Sequence, residues 1–241
     1  MSNVSISTNK LTIGYGATVI QRDLTFSLHA GEMVCMLGPN GCGKSTLLRT
    51  LAGLQPALSG EYTHSDAKNI ALVLTERLSM DNTTVHDVVA LGRYPYSSFL
   101  DGLKKEDENI ISESLRQVGF DNQESLIENS FFNAHSDGEK QRILIAKALA
   151  QQTPIILLDE PTAHLDLPHR ILILRLLRQL AHEQGKTILI STHELDLALA
   201  LSDRILLMTP GKGIQLDTAE NLKKAKAFTS AFGMDIFNPL G

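Results

Sequence analysis

The sequence predicts an α/β fold built around a mainly parallel β-sheet. Short β-rich runs alternate with longer helical patterns, and several of these runs are uniformly apolar, as in strands that are buried on both faces. One run also leads through a glycine-rich turn directly into a helical pattern. The predicted strands cover residues 4–7, 24–28, 32–37, 71–74, 155–159, 187–191 and 205–208.

Composition narrows the classes of protein that the chain can belong to. Its 241 residues are 43% hydrophobic and 20% charged, which is the balance of an ordinary globular domain. The net charge of -5 argues against the broad basic surface that nucleic acid requires. No apolar stretch approaches the roughly 20 residues of a membrane span, and the start lacks the pattern of a signal peptide. We therefore expect an internal protein without nucleic acid as a partner, whose membrane association runs through another subunit.

The middle of the chain has a different pattern. Ile111, Leu115 and Val118 recur at helical spacing within a segment rich in Glu and Lys. Pro95 disfavours helix at Tyr94, so we predict an exposed turn over residues 92–99. These patterns divide one domain, residues 1–241, into a core formed by residues 1–76 and 151–241 and a helical subdomain formed by residues 77–150.

A glycine-rich loop follows the predicted strand 32–37. It fits G-x-x-x-x-G-K-[ST], in which the glycines let backbone N–H groups turn around phosphate oxygens and the next helix adds partial positive charge. Lys44 is predicted to reach the β and γ phosphates, and Ser45 to offer its hydroxyl to Mg²⁺. Cys42 is either a neutral occupant of a variable position or a thiol activated by the helix N-terminus. The predicted phosphate-binding residues are Gly38, Pro39, Asn40, Gly41, Cys42, Gly43, Lys44, Ser45 and Thr46.

Two carboxylates stand at the end of the apolar run that begins at residue 155. Asp159 is predicted to hold the coordination shell of Mg²⁺, and Glu160 to act on the water that attacks the γ-phosphate. His193 follows the predicted strand 187–191 and is placed to hydrogen-bond a γ-phosphate oxygen. Because ligands bind at the ends of parallel strands, we predict that Lys44, Glu160 and His193 form the catalytic group.

A further motif narrows the class of ATPase. Residues 134–142, Ala-His-Ser-Asp-Gly-Glu-Lys-Gln-Arg, resemble the signature motif of ATP-binding-cassette proteins. Tyr15 resembles the aromatic adenine platform of that family, Asp166 its D-loop aspartate and His193 its switch histidine. The resemblance spans nearly the whole chain. It implies a P-loop NTPase fold with an N-terminal antiparallel β subdomain and a helical subdomain that carries the signature.

The resemblance also implies a homodimer with ATP at the interface. Ser136 and the N–H groups near Gly138 begin a helix whose positive end faces a phosphate, and in this family that phosphate belongs to the other subunit. The chain departs from the family in two places. The common Leu-Ser-Gly-Gly-Gln reads His135 to Glu139 here, which adds acid beside the phosphate site, and Glu76 stands where the family usually has Gln. The Glu76 carboxylate is predicted to ligate Mg²⁺.

Residues 88–96 are similar to a stretch in ATPase subunits of importers for iron–siderophore complexes, haem and vitamin B12. This implies a peripheral subunit at the cytoplasmic face of the cell membrane that works with permease subunits and, through them, a substrate-binding protein, and that binds no cargo itself. The aromatic residues of 92–99 either line a groove for the membrane protein or anchor a local turn. An exporter ATPase, a cassette that acts on nucleic acid or ribosomes, a non-catalytic ATP-dependent dimer and a small-molecule kinase stay open as alternatives.

Overall fold

A six-stranded sheet forms the centre of the computed structural model, which describes residues 3–64, 70–74, 80–96, 102–120, 129–163 and 165–237. The strand order is β5-β6-β7-β3-β8-β9, and all neighbours are parallel except β8 and β9. The strands are β3 (Met33–Leu37), β5 (Ile70–Val73), β6 (Ile155–Asp159), β7 (Thr187–Ser191), β8 (Arg204–Thr209) and β9 (Gly213–Asp217).

A second sheet is antiparallel and has the order β2-β1-β4. Its strands are β1 (Val4–Tyr15), β2 (Thr18–His29) and β4 (Ser59–His64). The predicted α/β fold, with a mainly parallel sheet and an N-terminal antiparallel one, is confirmed. Two strands that were not predicted, β4 and β9, lie at sheet edges and contain no fully buried residue. An edge strand needs no continuous apolar run, so the pattern that predicts buried strands does not detect it.

Eight α-helices connect and cover the sheets within the described ranges. In chain order they are α1 (Lys44–Leu51), α2 (Val85–Ala90), α3 (Lys105–Gln117), α4 (Asp137–Ala150), α5 (Leu167–Gln184), α6 (Leu195–Leu201), α7 (Ala219–Lys224) and α8 (Ala227–Phe232). None of the helices in these ranges is long and apolar enough to span a membrane. The helical pattern predicted around Ile111 and Leu115 is confirmed by α3, where both side chains are fully buried.

The side chains of β3 divide between two apolar clusters. Met33, Cys35 and Leu37 pack with helices α2 to α5, whereas Val34 and Met36 pack with α1 and the antiparallel sheet. This alternation is expected of a strand that is covered on both faces. The central strand is thereby fixed on both sides, and its carboxyl end, where the glycine-rich loop begins, has a defined position.

The segment predicted as an exposed turn is a 3-10 helix, Leu91–Tyr96, and residues 97–99 lie outside the described ranges. The prediction of an exposed turn was wrong for Arg93, which is 5% exposed. Its guanidinium donates to Asp107 Oδ1 (2.8 Å) and to the carbonyl oxygen of Ala150 (2.9 Å). These bonds join α3 and the end of α4 to the 3-10 helix. The division into residues 1–76 with 151–241 and residues 77–150 stays a prediction.

Candidate active site

The glycine-rich loop joins β3 to α1 with backbone angles that favour glycine. Gly41 has φ 76° and Gly43 has φ 102°, both in the left-handed region. A Cβ atom at Gly43 would also lie 2.8 Å from Ile20 Cγ2, closer than real contacts allow. Gly43 is the N-cap of α1 and provides no side-chain cap, so the first N–H groups of α1 are left for an anion.

Lys44 lies across this loop. Its ammonium donates to the carbonyl oxygens of Gly38 (2.8 Å) and Pro39 (3.3 Å), and the residue is 6% exposed. Next along α1, the Thr46 hydroxyl donates to the phenol oxygen of Tyr15 (3.2 Å), whose ring is half exposed. The predicted adenine platform is therefore tied to the same helix that begins at the phosphate loop.

A cavity of about 300 Å³ collects most of the predicted site residues. It contains residues from β1, the phosphate loop, the end of β6 and the segment after β7, which meet at the carboxyl edge of the parallel strands. A larger cavity of about 630 Å³ lies beside α3 and contains none of the predicted residues. The smaller cavity is lined by Tyr15, Ile20, Asn40, Gly41, Gly43, Lys44, Ser45, Thr46, Glu160 and His193.

The two carboxylates at the end of β6 have different surroundings. Asp159 is 7% exposed and accepts a hydrogen bond of 2.5 Å from the Ser191 hydroxyl. Glu160 has φ 47°, a left-handed conformation that non-glycine residues adopt rarely and at a cost in strain. Its carboxylate oxygen Oε1 lies 2.5 Å from His193 Nε2. The structure thus brings together Glu160 and His193, which are far apart in the sequence.

Sequence reasoning missed Ser191, which contacts both acidic residues, Asp159 through its carboxylate and Glu160 through its backbone. Besides donating to Asp159, Ser191 accepts the Glu160 N–H through its hydroxyl (2.9 Å) and its carbonyl oxygen (3.1 Å). The residue is fully buried at the end of β7. The available signal was a polar residue that ends a uniformly apolar strand beside the acidic one.

Replacing Ser191 by alanine is expected to lower the free energy of unfolding by about 1–2 kcal/mol and kcat by about tenfold, because Asp159 and the strained Glu160 lose a shared partner. Denaturant unfolding and steady-state ATPase assays measure the two effects. Ser114→Ala is a matched control, since Ser114 is also buried and donates to a backbone oxygen, that of Ile110 (2.7 Å). We expect this control to lose stability only. Unchanged kcat in Ser191→Ala would remove Ser191 from the site.

The predicted signature motif starts helix α4. Ser136 is the N-cap, and its hydroxyl donates to Glu139 Oε2 (2.7 Å) and accepts the Glu139 N–H (3.3 Å). The Glu139 carboxylate also accepts the Ser136 N–H (3.0 Å), which completes a capping box. The Ser136 hydroxyl and N–H hold the pKa of Glu139 below its usual value. The acid that departs from the common signature therefore has a partner within its own chain.

The signature motif and the D-loop meet on one side of the molecule. A Cβ atom at Gly138 would lie 3.3 Å from the ring of His169 on α5, so the signature motif lies directly beside the first turn of that helix. Asp166, the N-cap of α5, accepts the His169 N–H (3.2 Å) and contacts its ring nitrogen. The 300 Å³ cavity of the same chain is not lined by Ser136, Gly138 or Asp166. The cavity and this signature face are two separate parts of one chain.

Cys42 is 3% exposed, and burial raises the pKa of its thiol, which favours the alternative of a neutral occupant of a variable position. Glu76 lies outside the described residues, so its predicted contact with Mg²⁺ stays a prediction. The described ranges contain no group of three or more His, Cys, Asp or Glu side chains arranged to hold a metal ion.

Comparison with known proteins decides the family. Residues 21–163, more than half of the chain, match the family model described as ABC transporter. The chain belongs to the ABC transporter family. It is 38% identical over 243 residues to the iron(3+)-hydroxamate import ATP-binding protein FhuC of Bacillus subtilis (strain 168), a match that covers 96% of this chain and 88% of that protein. The resemblance inferred from the sequence is confirmed.

Solved structures give the same result. The fold matches a structure that shows an inward-facing conformation of an ABC transporter assigned to the metal-chelate type, with a TM-score of 0.87, 29% identity and coverage of 96% of this chain and 90% of that one. It also matches a dimeric ATP-binding cassette in a post-hydrolysis state bound to ADP and Pi, with a TM-score of 0.74, 26% identity and coverage of 88% and 98%. The chain is an ATPase of the ABC type, and adenine nucleotide is its ligand.

Proposed function

We propose that the 300 Å³ cavity binds ATP and that its residues hydrolyse the γ-phosphate. Lys44 leaves the Gly38 and Pro39 oxygens to contact the β and γ phosphates, and the N–H groups at the start of α1 surround them. Glu160 takes the proton of the attacking water, and His193 holds Glu160 and a γ-phosphate oxygen. The convergence of Lys44, Glu160 and His193 in one cavity is the observation that carries this proposal.

The residues fit Mg²⁺ as the metal. Mg²⁺ binds through one or two protein oxygens together with phosphate oxygens and water, so a cluster of three ligands is not required. Ser45 lines the cavity, and Asp159 ends β6, the strand that leads to the cavity residue Glu160. The ion would offset negative charge on the phosphates. Glu76 is proposed as a third contact on the resemblance alone.

We propose that the signature motif binds the γ-phosphate of an ATP molecule held in the cavity of a second copy of the chain. Ser136 and Gly138 do not line the 300 Å³ cavity of the same chain. They lie instead on the signature face, beside the D-loop. The similar cassette bound to ADP and Pi is dimeric. A head-to-tail homodimer with ATP at the interface places each signature against the partner's cavity, and the Ser136 hydroxyl then exchanges its contact with Glu139 for the partner's γ-phosphate.

The dimer is proposed to drive import of an iron(3+)–siderophore type of cargo. The support is the identity to the hydroxamate import protein over nearly the full length of both chains and the fold match to a transporter of the metal-chelate type. Permease subunits and a substrate-binding protein handle the cargo, and this chain lies peripherally at the cytoplasmic face. Its net charge of -5 favours this function over action on nucleic acid.

Uptake in vesicles tests the proposed import. The tagged chain is copurified with its membrane subunits and reconstituted so that ATP is available only on the side of the ATPase. Radioactive iron(3+) bound to a hydroxamate siderophore serves as the probe. We expect ATP-dependent movement of the probe toward the ATPase side, and none with Glu160→Gln. Hydrolysis with no movement of the probe, or movement away from the ATPase side, contradicts import of this cargo class.

The two tyrosines of the 3-10 helix differ in exposure, and we use this difference to divide the two roles left open by the sequence between them. The Tyr96 hydroxyl donates to the Gln151 carbonyl oxygen (2.8 Å) and its ring lies under the Arg93 guanidinium at 4.3 Å, so it anchors the segment. Tyr94 is 69% exposed. We assign to Tyr94 the contact with a permease subunit.

Replacing Tyr94 by alanine is expected to reduce probe uptake at least about fivefold, because an exposed aromatic anchor is lost from the contact with the permease. The ATPase rate of the isolated chain should not change. Phe237→Ala, which removes a 46% exposed aromatic near the C-terminus, is the control and should transport normally. Equal uptake by the two variants would exclude Tyr94 from this contact.

A further inference from the structure

Arg170 joins two segments that each follow a proposed catalytic residue in the sequence, Glu160 in one case and His193 in the other. It is in the first turn of α5, and its Nε donates to the carbonyl oxygen of Leu165 (2.6 Å) while Nη1 donates to the Glu194 carboxylate. The two side chains are 29% and 32% exposed. One guanidinium therefore holds both a backbone oxygen and a carboxylate.

Each partner of Arg170 stands beside a residue of the site. Leu165 precedes Asp166, the D-loop residue on the signature face. Glu194 follows His193, whose Nε2 contacts Glu160. A continuous path of contacts thus runs from the D-loop through Arg170 and Glu194 to the pair formed by Glu160 and His193.

Backbone hydrogen bonds hold the segment around Glu194 in place. The Glu194 N–H donates to the Thr192 hydroxyl (3.0 Å), and the Leu195 N–H donates to the His193 carbonyl oxygen (3.0 Å). The Glu194 carbonyl oxygen accepts the Ala198 N–H (2.9 Å), which fixes Glu194 to the start of α6. The backbone that carries the Glu194 carboxylate is thus continuous with His193 and bonded on both sides of it.

The alternative is that Arg170 only stabilises the start of α5. Partly exposed ion pairs contribute little to stability, about 0–1 kcal/mol, and such a role has no effect on turnover. The planar guanidinium of arginine, however, presents several N–H donors in a fixed geometry and can hold the Leu165 oxygen and the Glu194 carboxylate at the same time. A lysine ammonium has no such fixed geometry. The choice of partners, one from each functional segment, is what separates Arg170 from an ordinary surface pair.

We infer that Arg170 is a positioning residue that links the D-loop to the switch histidine through Glu194, so that the dimer face sets the position of His193 and Glu160. The inference rests on the roles proposed for those residues. Arg170 does not touch ATP. Its loss is expected to lower kcat and leave ATP binding nearly unchanged, because only the geometry of the reacting groups shifts.

A double-mutant cycle tests this inference. Arg170→Ala and Glu194→Ala are each expected to lower kcat on the order of tenfold, with KM for ATP within about twofold of the unaltered chain. The double variant should be no slower than either single variant, because both changes break the same bridge. Arg170→Lys keeps the charge and should still show most of the loss in kcat, because the single nitrogen of lysine cannot hold both acceptors in the geometry set by the guanidinium.

Arg204, the first residue of β8, offers a matched control at the amino ends of the parallel strands, away from the cavity. Its guanidinium donates to both Glu32 carboxylate oxygens (2.9 and 2.6 Å) and to the Ser27 carbonyl oxygen (2.9 Å), so the kinds of contact are the same. Arg204→Ala should lose thermal stability and keep kcat within about twofold. If Arg170→Ala and Arg204→Ala have the same kcat, if the two single losses multiply in the double variant, or if lysine restores full turnover, the inference is wrong.

Failure of this inference can be told apart from failure of the proposed function. Glu160→Gln is measured in the same series, and normal turnover by that variant would contradict the proposed function. The Arg170 and Glu194 cycle is measured in chains that keep Glu160, so its coupling stands or fails by itself.

Discussion

Replacing Glu160 by glutamine is expected to lower kcat for ATP hydrolysis on the order of a thousandfold, the range of a lost general base. Glutamine has nearly the same shape, retains the backbone bonds to Ser191 and still offers an oxygen to His193 Nε2. ATP binding should therefore persist, and the ATP-bound dimer should accumulate because the reaction that opens it has stopped. Single-turnover hydrolysis and size-exclusion chromatography with ATP measure the two effects.

An exposed carboxylate provides the control for Glu160. Glu220→Gln, on α7, makes the same chemical change at a residue whose side chain is 76% exposed and should leave turnover and dimerisation as they were. Turnover within a few-fold of normal in Glu160→Gln would remove Glu160 from the role of base. Loss of both turnover and ATP binding would show that the substitution had damaged the loop instead.

Replacing Lys44 by alanine is expected to weaken ATP binding at least about a hundredfold. Each charge-assisted hydrogen bond to phosphate contributes about 1.5–3 kcal/mol, and a factor of ten corresponds to about 1.4 kcal/mol. The ammonium also donates to the carbonyl oxygens of Gly38 and Pro39, so a modest loss of thermal stability should accompany the change. Equilibrium binding of a fluorescent ATP analogue with Mg²⁺ measures the affinity.

The control for Lys44 removes an equal charge elsewhere. Lys212 is exposed beside β9, where its ammonium lies 3.3 Å from the Ser230 hydroxyl, and it does not line the cavity. Lys212→Ala should bind ATP normally. A Lys44→Ala protein that is folded and binds ATP as tightly as this control would contradict the placement of the triphosphate in the cavity.

The phosphate loop was predictable because all of its parts are neighbours in the sequence. A buried strand, glycines with defined φ angles, a lysine and a helix start occur in one short segment, so local pattern and tertiary position coincide. The same holds for β6 and β7, whose uniformly apolar runs match the predicted strands residue for residue. Burial on both faces of the sheet leaves no other pattern for these strands.

The contacts that complete the site were not predictable from local pattern. Glu160 meets Ser191 and His193 only because β6 and β7 are neighbours in the sheet, an order that no local segment encodes. The approach of His169 to Gly138 likewise depends on where the fold places the start of α5 relative to the start of α4. The environment of Cys42 was not predictable either, because burial, which only the fold determines, raises the pKa of its thiol against the opposing effect of the Lys44 charge.

Mixed dimers test the central claim, that each ATP is held by the phosphate loop of one copy and Ser136 of the other. In the Glu160→Gln background, one sample pairs a Lys44→Ala chain with a Ser136→Ala chain, and a second pairs the Lys44→Ala/Ser136→Ala double variant with a chain intact at both positions. The measurement is the amount of ATP occluded per isolated mixed dimer. If the site is shared between copies, the first sample retains one intact site and occludes ATP, whereas the second has a defect in both sites. Occlusion in the second sample and none in the first would contradict the account.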